Sequence, residues 1–223
     1  MSVSKANVYD VLREHQALLV HFSGCPKGAG AEREDHLYPH DLQSVLDGKA
    51  HSGLSCSTVM PRDCFGGFDR NATGCVGALL GLQSGDSLKA VSAGDCGSAL
   101  IAGVREIGLA DTVTLDSVVR SISNRKPGHY NEWIVANYEV LGLFAAAPFE
   151  VSALCRMPAI PDAPVQSQEA ELIAASRQTN IEEVANTFPG STIVSFHNGR
   201  LVMWIDGRSR EIAHSDLYCA SAL

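Results

Sequence analysis

Two dipeptides near the C-terminus, Asn198-Gly199 and Asp206-Gly207, constrain the fold more than any other feature of this chain. They separate three short runs of β-forming residues: Thr192 to His197, Arg200 to Ile205 and Arg208 to Ala213. A two-residue hairpin loop of type I′ needs positive φ at both positions, and Asn-Gly and Asp-Gly accept that best. The stretch therefore reads as a three-stranded meander. A helix through Leu172 and Ile173 precedes it, then a second short helix for which Asn180 and Glu183 supply a capping box.

Met157 to Pro164 holds three prolines in eight positions and reads as a linker. The chain then divides into a main domain over 1–156, a Pro-rich linker over 157–166 and a small α+β unit over 167–223. In the main part Ser4 caps a helix with Val8, Val11 and Leu12 on one face. Ala17 to Phe22 is a continuous apolar run, as in a buried strand. Leu42, Val45 and Leu46 give a short helix ended by Gly48, and Ser57 to Met60 a short strand. Cys75 to Leu82 and Leu88 to Val91 read as strands joined by the turn Gln83-Ser84-Gly85-Asp86. Thr114 or Asp116 opens a further helix, and Trp133 to Phe144 and Phe149 to Leu154 are strand-like. There is no GxGxxG and no regular strand–helix alternation. The expected class is thus α+β, with a mixed or mostly antiparallel sheet, rather than a doubly wound parallel one.

The net charge of -8 argues against general nucleic-acid or anionic-membrane binding, which needs surplus Lys and Arg. The apolar runs are too short to span a bilayer. Seven cysteines, an odd number without a CxxC pair, read as reduced thiols. With a polar N-terminus lacking a secretory signal, they point to a cytoplasmic protein. The acceptor, any partner and the oligomeric state are left open.

Chemistry-bearing residues gather in the loop-rich first part. His21-Phe22-Ser23 ends the first strand, Asp41 to Gly48 follows as a short helix, Ser55-Cys56-Ser57 enters the next strand, and Tyr130-Asn131-Glu132-Trp133 begins a late one. This order resembles ADP-ribosyltransferases, especially their DNA-targeting toxin branch, over roughly residues 17–140. The resemblance implies NAD as substrate; no metal is expected, because a domain of this size has no need of a structural one. Glu132 would be the catalytic carboxylate, stabilising the oxocarbenium-like state of nicotinamide–ribose cleavage. His21, with Ser23, would hold the dinucleotide, and Ser55 and Ser57 would line the nicotinamide pocket.

Two other enzyme-like patterns compete. Gly94-Asp95-Cys96-Gly97-Ser98 resembles the nucleophile loop of chymotrypsin-like cysteine proteases, which would make Cys96 the thiol of a hydrolase with His21, His36 or His40 as base. His21, Cys25, His36 and His40 are residue types that suit zinc, but Pro39 breaks any helix that would align them. The non-enzymatic alternative is an interaction or effector protein that binds through its meander.

Overall fold

The computed structural model describes residues 3–22, 42–48, 53–61, 76–94, 113–125, 130–146, 167–197 and 199–219. The fold is α+β: helices flank a nine-stranded, mostly antiparallel mixed sheet. The elements in chain order are α1 (Lys5–Glu14), β1 (Leu18–Phe22), α2 (Leu42–Leu46), β2 (Leu54–Val59), β3 (Val76–Leu82) and β4 (Leu88–Ser92). They continue with α3 (Leu115–Ser123), β5 (Glu132–Val135), β6 (Tyr138–Ala145), α4 (Ser167–Thr187), β7 (Ile193–His197), β8 (Arg200–Ile205), β9 (Arg208–Glu211) and α5 (His214–Leu217). The proposed linker over 157–166 and the strand-like Phe149 to Leu154 lie outside the described residues.

Local signals set several boundaries. The Ser4 side chain accepts from the Asn7 amide to start α1, which buries Val8, Val11 and Leu12 as their spacing requires. Thr114, rather than Asp116, is the N-cap of α3, and its hydroxyl accepts from the Ser117 amide. Asp206 and Gly207 have φ of 49° and 74°, so the second hairpin turns with both residues left-handed.

The strands run β4-β5-β2-β1-β3-β6-β7-β8-β9 across the sheet. Chain neighbours β3 and β4 are therefore not sheet neighbours, although a short turn joins them. β5 and β6 likewise stand four strand spacings apart, about 19 Å across a flat sheet. Val135 and Tyr138 are only three residue steps apart, which reach about 11 Å. The sheet must therefore curl until its β4-β5 flank meets the β3-β6 region. Hydrogen bonds tie the two corners together: the Gln83 amide donates to Asn137 O at 3.3 Å, the Ala136 amide to Ser87 O at 2.8 Å and the Ser87 hydroxyl to Asn137 O at 2.8 Å. The run Trp133 to Phe144 breaks at this corner, where Asn137 takes φ of 52°.

Inside the curl β3 is buried along its whole length and β1 as far as His21, with Leu18, Leu19, Val20, Leu79 and Leu80 fully shielded. Gly77 in β3 lets that strand approach β1. A Cβ there would lie 2.3 Å from the His21 carbonyl oxygen.

The C-terminal meander continues this sheet. β7 pairs in parallel with β6 (Leu143 with Ile193, Phe144 with Val194), and Ile193, Val194 and Leu201 join the same hydrophobic cluster as β1 and β3. The two short helices read before it are one, α4. Asn180 is no cap: it lies inside α4, buried, and donates through Nδ2 to Ala146 O at 2.6 Å. An Asn three residues before a Glu matches the capping pattern equally well inside a helix, where its amide here finds a tertiary acceptor. Among the described residues no helix is long and apolar enough to cross a membrane.

Candidate functional site

The site follows from a break in the ladder along β2. Its first half, Leu54 to Cys56, pairs with β5, and its second half, Ser57 to Val59, pairs with β1. At the handover each flanking strand diverges, and side chains take over backbone groups that a strand would have met. On one side His21, at 0% exposure, brings Nδ1 to 2.8 Å from the Ser55 carbonyl oxygen. A carbonyl only accepts, so Nδ1 carries a proton, and when the ring is neutral Nε2 is the acceptor. On the other side the Thr58 amide donates to Asn131 Oδ1 at 2.8 Å, and Thr58 O accepts from Arg125 Nη1 at 2.7 Å.

Asn131 is used fully. Its Oδ1 accepts from the Thr58 amide and from the Ser57 hydroxyl (2.9 Å), while Nδ2 donates to Thr58 Oγ1 (2.8 Å) and Ser121 O (3.1 Å). Ser121 in α3 also accepts from the Trp133 indole at 2.8 Å. Glu132 therefore stands between two anchored residues. Its Oε1 accepts from the Ser55 hydroxyl at 2.9 Å, and the residue is only 4% exposed.

Ser55 thus joins the two residues singled out from the sequence: His21 meets its carbonyl oxygen, and Glu132 meets its hydroxyl. Burial, with the Glu132 carboxylate nearby, pushes the Cys56 thiol well above its ordinary range, so Cys56 is a packed thiol and no nucleophile. Beside this cluster Phe22 meets Tyr130 and Phe144 edge-on, with ring centroids 5.5 and 6.0 Å apart. Chemically, the arrangement is a carboxylate oriented by a hydroxyl and an imidazole held at Nδ1 by a carbonyl oxygen.

Ser57 behaves differently from Ser55. It is 4% exposed, and its hydroxyl is bound into the Asn131 network rather than directed at Glu132. Ser23, Cys25, His36, His40 and Cys96 lie outside the described residues. No group of three or more His, Cys, Asp or Glu that could hold a metal occurs among the described residues. Asn131 and Arg125 carry no motif, and sequence reasoning assigns them no role. Their importance comes from the break in β2 pairing, which no local pattern announces.

Comparison with protein-family models, with curated proteins and with solved structures finds no match.

Proposed function

We propose that this chain consumes NAD⁺ and transfers its ADP-ribosyl group, with Glu132 and His21 at the reacting centre. The observation that supports this most is that two side chains from distant parts of the sequence both contact Ser55, the His21 ring at its carbonyl oxygen and the Glu132 carboxylate at its hydroxyl. Breaking the nicotinamide–ribose bond builds positive charge at the anomeric carbon, and a carboxylate shielded from water stabilises it more than one in bulk solvent. The Ser55 hydroxyl, by holding Oε1, fixes the direction of that charge. His21 Nε2, the acceptor of its ring, suits a ribose hydroxyl. The acceptor then attacks the anomeric carbon as nicotinamide leaves with the bonding electron pair. His21 and Glu132 are both shielded from solvent, so dinucleotide binding has to displace the groups covering them.

The test is nicotinamide release from NAD⁺ by purified protein. The expected result is measurable release that falls about 100-fold or more in Glu132→Gln and is strongly reduced in His21→Gln, which keeps a donor for the Ser55 carbonyl oxygen, with both variants still unfolding cooperatively. Release that persists in Glu132→Gln, or none from the unsubstituted protein over a range of acceptors, overturns the reading.

A further inference from the structure

A second polar cluster lies away from the Ser55 site, where α4 crosses the end of the first C-terminal hairpin. Arg177 of α4 is only 9% exposed. Its Nη1 donates to the Phe196 carbonyl oxygen, and its Nη2 donates to His197 Nδ1 at 3.2 Å. A guanidinium only donates, so His197 Nδ1 is an acceptor here and the ring is neutral. No carboxylate among the described residues pairs with Arg177.

A guanidinium so enclosed without an anion is costly, because buried charges are normally paired. Two contacts also leave part of its donor fork unused. The surroundings are basic. In the β7–β8 register His197 stands directly opposite Arg200, so the two side chains share a face. That is the face α4 covers: farther along it Ile193 and Trp204 line a groove with Ile181 and Ala185 of α4. Arg200 is exposed and donates to Glu211 at 3.0 Å, the acidic group that the described residues place against this cluster. Next inward on the same face of β7, the Ser195 hydroxyl is buried with no hydrogen-bond partner among the described residues.

We propose that Arg177, His197 and Arg200 form a binding site for a phosphate group. The two positive charges of the arginines outweigh the single carboxylate of Glu211, and His197 adds its Nε2–H as a donor, which favours a dianionic phosphate over a singly charged carboxylate ligand. A clamp holding α4 to β7 needs only the Phe196 carbonyl. It gives no reason for His197 and Arg200 to gather beside a buried cation. Arg200 reaches the ligand by exchanging Glu211 for it, so Glu211 competes with the phosphate.

The experiment titrates the full chain with inorganic phosphate and, in a second arm, with acetate, following the His197 ring resonances by NMR. Saturable phosphate binding that moves those resonances is expected, with acetate about tenfold weaker. Arg200→Gln, at an exposed position, weakens phosphate about fivefold, while Glu211→Gln strengthens it severalfold by freeing Arg200. Arg177→Met abolishes binding. Absence of a saturable His197 response overturns the proposal, as does a response indifferent to both Arg200→Gln and Glu211→Gln. Equal affinity for acetate overturns the phosphate assignment.

Discussion

At the scale of single residues, Asn131 shows how a site is built from backbone needs. It fills the place that β5 leaves beside Thr58, and each polar position of its amide has a partner. Asn131→Ala leaves the Thr58 amide without its acceptor inside the protein, a loss of about 2–4 kcal/mol by analogy with other buried network deletions. Asn131→Asp keeps the acceptor but loses both donors and buries a charge, so it is expected to destabilise at least as much at neutral pH. Urea unfolding of the two variants decides this, and an Asn131→Asp protein as stable as the unsubstituted chain would refute the network. His21 and Glu132 stand out in the sequence only through the order of residues that resembles ADP-ribosyltransferases; that both contact Ser55 depends on strand register. The same resemblance groups Ser55 with Ser57 as the lining of one pocket, and in β2 the two are alternate residues of one strand. What separates them is the partner each hydroxyl finds: Glu132 for Ser55, Asn131 for Ser57. Such pairing depends on register, which is a property of three strands at once.

At the scale of elements, the C-terminal α5 and the residue after it act as a latch on β1. The Tyr218 hydroxyl accepts from the Leu19 amide at 2.7 Å, and its ring packs 5.0 Å from Tyr9 and 5.1 Å from His214. His214 Nε2 donates to Ala17 O at 2.8 Å, which leaves Nδ1 as the unprotonated nitrogen, buried without a partner among the described residues. Burial lowers the His214 pKa below 6.5; the Ala17 hydrogen bond partly offsets this, and Arg13 adds to the lowering. Below the unfolded-state value the unfolded chain binds more protons than the folded one, so stability falls as the pH drops from about 6.5 through the folded-state pKa. His197 is displaced in the same direction, but its exposure weakens its share. His214→Gln, which keeps a donor for Ala17, is expected to flatten this acid slope in denaturant midpoints measured from about pH 7.5 to pH 5. A variant that retains the full slope would show that the latch is not its source. The hairpins beside this latch were legible because Asp-Gly dictates backbone angles locally. The single long α4 was not, because Asn180 is held by Ala146, a partner 34 residues away.

At the scale of the whole molecule, the α+β class and mostly antiparallel sheet could be read from strand-like runs and the absence of strand–helix alternation. Strand order could not, because a turn such as Gln83 to Asp86 looks the same whether it closes a hairpin or rounds the corner of a curled sheet. The same limit applies to the C-terminal residues, where a proline-rich stretch suggests a separate unit but cannot say what the meander packs against. In the structure β7 lies beside β6, and α4 sends Ile181 and Val184 into the common cluster. Tyr218 satisfies Leu19 in β1, next but one to His21. A chain truncated after residue 156 would therefore expose the β6 edge at Leu143 and Phe144, both now buried, and leave the Leu19 amide and the Tyr9 ring without Tyr218. An uncovered apolar edge strand is a template for association between chains, so the fragment is expected to aggregate or to unfold without a cooperative transition. The intact chain is expected to unfold in a single transition seen alike by Trp133 in the curled half and Trp204 in the meander. Replacing either tryptophan by Phe separates their fluorescence signals. Two distinct midpoints, or a soluble fragment that unfolds cooperatively, would mean that the curled half carries the His21–Ser55–Glu132 cluster without help from the meander.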